Sequence, residues 1–183
     1  IYFSVSKFKD YGKLANLGKV KIRKARISND EYDKENVRDF ALWKFHTASD
    51  GENFWNTEIG KGRPAWHIEC SAMSAKILGN PFDIHTGAQD LIFPHHTNEI
   101  SQSEAATGKK FVNFWMHAGF LNMKQDKMSK SLGNILTLKE LKEKGFSGLD
   151  YRYLTLTSHY RAPLDFSLEN LESAKKSRER LKN

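Results

Sequence analysis

An α/β fold with a parallel crossover is what this 183-residue sequence predicts, on three observations. A short strand pattern, FDIH at 82–85, is followed by a helical pattern that opens after Pro94 and closes by Gly108. Next comes FVNFWMHAGFL at 111–121, rich in aromatics and free of formal charge, the composition of a strand buried on both faces. Strand, helix and strand in that order imply parallel pairing across a helical crossover, with ligands near the carboxyl ends of the strands.

The remaining elements follow from local signals. YFSVS near the start alternates as a short strand does, and KVKIRKARI places Val20 and Ile22 between basic residues. That basic run fits an edge strand guarded by lysines, and it fits an RNA-facing strip as well. DFALWKF at 39–45 is a compact apolar run, followed by a loop rich in Gly, Asn and Asp. Pro64 stands where a helix begins and Gly79 where one ends, with Trp66, Cys70, Met73 and Ile77 on one face between them. TGAQD at 86–90 reads as a turn. Thr137 with Glu140 has the pattern of a capping box for LKELKEKG, and helical stretches at about 149–160 and 168–182 complete the chain.

Composition narrows the class without naming an activity. Hydrophobic residues at 39% and charged residues at 28% exclude a disordered tail and a fibrous repeat. No apolar stretch approaches the roughly 20 residues of a membrane span, and the start lacks the basic and apolar regions of an export signal. Cys70 is the only cysteine, so no intrachain disulfide forms, and a reducing, cytoplasmic compartment is expected. Lys and Arg total 29 against 22 Asp and Glu, a balance that favours anionic partners such as nucleotides or nucleic acid.

Two groups of residues carry chemistry. His95 and Glu99 are spaced i, i+4 on a helix, which sets an imidazole and a carboxylate on one face, about 6 Å apart at Cβ. Cys70 completes a sulfur, nitrogen and oxygen set suited to zinc. Taken singly, Cys70 reads first as a small core residue and the other two as a helix-surface pair, and it is the surrounding sequence that favours the metal. Lys127 and Lys130 flank Met128 and Ser129 in a loop ending at Gly133, where two ammonium groups can reach a triphosphate or simply face solvent.

GRPAWHIECSAM at 62–73, DIHTGAQDLIFPHHTNEISQSEA at 83–105 and KMSKSLGN at 127–134 together resemble cysteinyl-tRNA synthetases, class I enzymes built on a split Rossmann fold. The resemblance runs over nearly the whole chain. It implies a connective-peptide region at 1–60 and the second half of a Rossmann-type nucleotide-binding fold at 61–121. The signature loop and its following helix then occupy 122–147, and a helical segment leading to the tRNA-binding part occupies 148–183. It also implies ATP-dependent formation of cysteinyl-adenylate, with Mg2+ accompanying ATP, and transfer of cysteine to tRNA(Cys).

Residue by residue, the resemblance assigns one Zn2+ to Cys70, His95 and Glu99. It places Trp66, His67 and His85 in the amino-acid pocket, with Trp66 also readable as a core anchor. Gly87 and Asp90 are expected at the adenosine, and Lys127 and Lys130 at the phosphates, with Lys130 the firmer ATP contact. Zinc would select the substrate thiolate over the hydroxyl of serine, a poorer ligand. The pattern departs from the family's commonest one at Ala88 and Thr97. The family's second cysteine ligand, its HIGH motif and its anticodon-binding domain have no counterpart here. The missing amino-terminal half of the fold is therefore an expected partner, and the isolated chain is expected to be inactive. Two other readings stay open: the related cysteine ligase of mycothiol biosynthesis, and a non-catalytic fragment that binds zinc or RNA.

Overall fold

In the computed structural model, which describes residues 1–19, 38–123, 126–127 and 135–181, the chain forms two units. One comprises 1–85 and 90–116, the other 86–89 and 117–183. Among the described residues no helix is long and apolar enough to cross a membrane.

The first unit begins with β1 (Tyr2–Phe3), shorter than the alternation of YFSVS predicts, because Val5–Lys7 curls into a 3-10 turn. The Asp39 carboxylate accepts from the Val5 N–H at 2.9 Å, which favours the turn over a longer strand. β1 pairs antiparallel with β2 (Phe40–Ala41), and Phe3 stacks on Phe40 at 5.0 Å. The apolar run at 39–45 continues as β3 (Trp43–Phe45), which pairs with β5 (Gly60–Pro64), itself paired with β4 (Trp55–Thr57). β3 and β5 approach so closely at Gly62 that a Cβ there would collide with the Lys44 carbonyl. The basic run containing Val20 and Ile22 lies outside the described residues.

α1 (Trp66–Leu78) spans the stretch predicted between Pro64 and Gly79, and Gly79 closes it with φ 82°. Its apolar stripe is not a core face: Trp66 is 59% exposed, Met73 56% and Ile77 77%. Helical periodicity shows which residues share a face, and here the face turned to α2 is the polar one. β6 (Phe82–Ala88) extends beyond the predicted FDIH, so TGAQD is strand and then a 3-10 turn at Gln89–Leu91.

An irregular turn at Ile92–His96, with Phe93 extended, leads into α2 (Thr97–Thr107), which Gly108 closes in the left-handed conformation. β7 (Val112–Ala118) pairs with β6. The Phe82 N–H donates to the Phe111 carbonyl, start beside start, as a crossover between parallel strands requires. Phe82, Phe111 and Val112 form the core beneath, with Ile100 and Trp115 packed against them. β7 is buried on one side only, since Phe114 is 68% exposed. The charge-free run therefore reports a strand, but not one covered on both faces.

In the second unit, β8 (Leu121–Met123) pairs parallel with β10 (Leu164–Phe166) and antiparallel with β9 (Asp126–Lys127). The capping box predicted at Thr137 and Glu140 is present at the start of α3 (Leu138–Glu143). A second box, missed in the sequence, joins Ser147 and Asp150 at the start of α4 (Gly148–Leu156). α5 (Leu168–Arg180) packs against α4, and Leu141, Leu154, Phe166, Leu171 and Ala174 form one core.

Ser167 caps α5 by accepting the Asn170 N–H at 3.1 Å. Ser167→Ala is expected to cost about 1 kcal/mol, read as an earlier denaturant midpoint with an unchanged slope.

Candidate metal centre

α2 is buried yet polar: Thr97, Asn98, Glu99, Ser101, Gln102 and Ser103 are all shielded from solvent. A helix face of this kind loses hydration without gaining apolar contact, and only hydrogen bonds or ligands offset that cost. Tyr11 supplies one partner, its hydroxyl donating to Asn98 Oδ1 at 2.8 Å, and burial pushes that phenol up to about 12.

The rest of the face meets α1 and β6. Cys70 of α1, His95 before α2 and Glu99 within it bring a sulfur, a ring nitrogen and a carboxylate oxygen within 4.8 Å of one another. His85, His96 and Glu99 form a second such group with Glu99 in common. His85 Nε2 lies 2.9 Å from Glu99 Oε2 with hydrogen-bond geometry, so its proton is directed at the carboxylate. His95 Nε2 lies 2.8 Å from the other oxygen, Oε1, but the ring is not aligned to donate, and Oε1 is buried without a hydrogen bond. Two donor atoms thus converge beside the Cys70 thiol without satisfying each other. This arrangement fits a soft divalent cation such as zinc, with Cys70, His95 and Glu99 as its holders and His85 orienting the carboxylate.

Electrostatics agree with that division. Burial alone would raise the Glu99 carboxyl, but the hydrogen bond from His85 and the closeness of the His85 and His95 rings outweigh it and hold Glu99 down to about 2, so the buried group is an anion. Burial, and then the nearby Glu99 and Glu69, push the Cys70 thiol up. Burial, and then the adjacent His95, push His67 down to about 4, which keeps that ring neutral.

Aromatic rings line the centre. Trp66 stacks on His95 at 4.3 Å, and His67 Nδ1 lies 2.7 Å from His95 Nδ1. Trp66 is therefore a partly exposed wall of the site, not the core anchor that one reading of the sequence allows. His96 and Trp115 stand 4.7 and 4.9 Å from the His85 ring, and neither was singled out from the sequence. The doubled HH at 95–96 is the one signal that pointed to His96.

Other expected positions lie elsewhere. Gly87 lies in β6 and Asp90 in the 3-10 turn after it, a strand end in place of the predicted glycine-rich turn. The Lys127 backbone belongs to β9, paired with Asn122, and not to a loop. Lys130 and the remainder of KMSKSLGN lie outside the described residues.

A family model described as the class I (C) tRNA synthetase catalytic domain matches residues 1–176. The chain is 51% identical to a cysteine–tRNA ligase of Brachyspira hyodysenteriae over 99% of its length. It is 52% identical to one from Carboxydothermus hydrogenoformans over all of its length. In both cases it spans 39% of the relative. Among solved structures, a LeuRS in complex with tRNA and LeuAMS from Agrobacterium radiobacter superposes with a TM-score of 0.54, covering 72% of this chain and 21% of that one. Sequence identity there is 15%, so this likeness is one of fold, the class I α/β Rossmann type.

Proposed function

Because the chain belongs to the class I (C) tRNA synthetase catalytic-domain family, we propose that it forms the thiol-selecting part of a cysteine–tRNA ligase. The observation that carries this reading is the meeting of Cys70, His95 and Glu99 at one buried point beside Trp66 and His67. Zinc held there, when bound, would accept the substrate sulfur as thiolate and discriminate against the serine hydroxyl, where a pocket contact alone discriminates by only about 1–3 kcal/mol.

The chain's own residues do the rest. Trp66, His67 and His85 line the amino-acid side, and neutral His67 offers its ring without adding positive charge. Gly87 and Asp90 are assigned to the adenosine. A carboxylate oxygen of cysteine attacks the α-phosphorus of ATP, the bond to the bridging oxygen of the β-phosphate breaks, and pyrophosphate leaves. Lys127 and Lys130 stabilise the charge that develops on that leaving group, with Mg2+ on the phosphates. A terminal ribose hydroxyl of tRNA(Cys) then attacks the carbonyl of cysteinyl-adenylate and AMP departs. Residues 1–60 correspond to the connective peptide, 61–121 to the nucleotide fold, 122–147 to the signature loop and its helix, and 148–183 to the start of the tRNA-binding part.

Cysteine-dependent ATP–pyrophosphate exchange and tRNA(Cys) charging by the protein with its complete gene-encoded sequence test the reading. Both activities are expected, with serine inert. Exchange driven equally by serine rejects thiol selection. Amide formation with an amino sugar in place of charging rejects tRNA as the acceptor.

A further inference from the structure

The metal group draws Cys70 from α1, Glu99 from α2 and His95 from the turn that leads into α2, and these three meet only if α1 and α2 hold a fixed register. His67, Cys70 and Ser71 follow one another along α1 at helical spacing, and His95, Glu99 and Gln102 do so along the opposing face. The two stripes meet in three rungs. His67 faces His95 at 2.7 Å, Cys70 faces His95 and Glu99, and Ser71 faces Gln102.

The third rung contains no proposed ligand and holds two short hydrogen bonds between the helices. Gln102 Nε2 donates to the His67 carbonyl at 2.6 Å and to Ser71 Oγ at 2.6 Å, so both amide hydrogens end on α1. Ser71 Oγ also donates to the same carbonyl at 3.2 Å. Gln102 is 7% exposed and Ser71 6%, so water competes little for these bonds. The buried face of α2 is polar, so interlocking apolar side chains contribute little to fixing the slide of one helix along the other. A forked donor reaching two acceptors fixes it, because a shift of about 1 Å breaks at least one of the bonds.

Resting on the metal reading above, we propose that Gln102, with Ser71, is a positioning residue that sets the distance from Cys70 to His95 and Glu99. Metal sites tolerate only about 0.2 Å in ligand distance, so loosening this register weakens zinc binding even in a fully folded protein.

The test uses the protein with its complete gene-encoded sequence and compares zinc affinity, by chelator competition below the melting range, in the parent, Gln102→Met and Ser71→Ala. Methionine keeps the volume and removes both donors, whereas Ser71→Ala leaves the bond to the His67 carbonyl. Zinc affinity is expected to fall roughly 10–100-fold in Gln102→Met and by less in Ser71→Ala. In Co2+-loaded protein the thiolate-to-metal absorption should weaken in the same order. A purely structural role lowers the melting temperature of the metal-free protein and leaves the affinity of the folded form unchanged, which overturns the proposal alone. Absence of zinc binding in the parent overturns the metal reading and this proposal with it.

Discussion

Cys70→Ser is expected to abolish stoichiometric zinc. The substitution exchanges sulfur for oxygen at nearly constant volume, in a side chain that is only partly buried, so the packing of α1 on α2 survives. What changes is the donor: a thiolate becomes a hydroxyl that zinc does not deprotonate readily. Loss of a direct ligand should exceed the roughly 10–100-fold expected when an outer partner is removed, so dialysis against a chelator should strip the variant and spare the parent. Metal analysis of both proteins at one pH, together with their metal-free melting temperatures, decides the matter. Full zinc retention in the variant would place the ion with His85, His96 and Glu99, the group that shares the carboxylate but not the sulfur.

Several features of this centre, and of the fold in general, are legible in the sequence because they depend on local geometry. Spacing alone places His95 and Glu99 together, since i, i+4 on a helix is a short-range relation. Pro64 and Gly79 mark α1, and Thr137 with Glu140 marks α3, because caps are chemically specific. What is hidden depends on tertiary placement. Trp66, Met73 and Ile77 share a face, but periodicity does not say that this face stands in solvent while Ser71 is buried. Gln102 looks like an ordinary polar helix residue until α1 is laid against it. Its position seven after His95 and three after Glu99 is a signal, one that acquires meaning only beside the matching stripe of His67, Cys70 and Ser71. β7 misleads for a related reason: an absence of charge is compatible with one covered face as well as two, and Phe114 lies on the open one.

Arg178→Met should remove on the order of 3 kcal/mol from the second unit at neutral pH, the low end of the cost of orphaning a buried charge. Asp150 is 1% exposed, and its Oδ1 accepts from Arg178 Nε at 2.6 Å. Its Oδ2 accepts from the backbone N–H and hydroxyl of Ser147 at 2.7 and 2.8 Å. Burial by itself would raise the Asp150 carboxyl, but the Ser147 donors and the Arg178 guanidinium outweigh it and hold the group below the ordinary carboxylate range. A depressed folded-state value means that the interaction contributes fully above the unfolded value of about 3.9 and is lost as pH falls through the lower folded one. Methionine keeps an unbranched aliphatic stem and deletes the charge, so the folded-state value of Asp150 rises and protonation relieves the variant's buried anion. The stability gap between parent and variant should therefore be widest near neutrality and narrow below about pH 4. Denaturant unfolding at both pH values measures it, and Asp150→Asn combined with Arg178→Met isolates the coupling between the two side chains. An equal gap at both pH values would mean that Arg178 acts on α4 and α5 through packing, with Ser147 alone sufficient to keep Asp150 ionised.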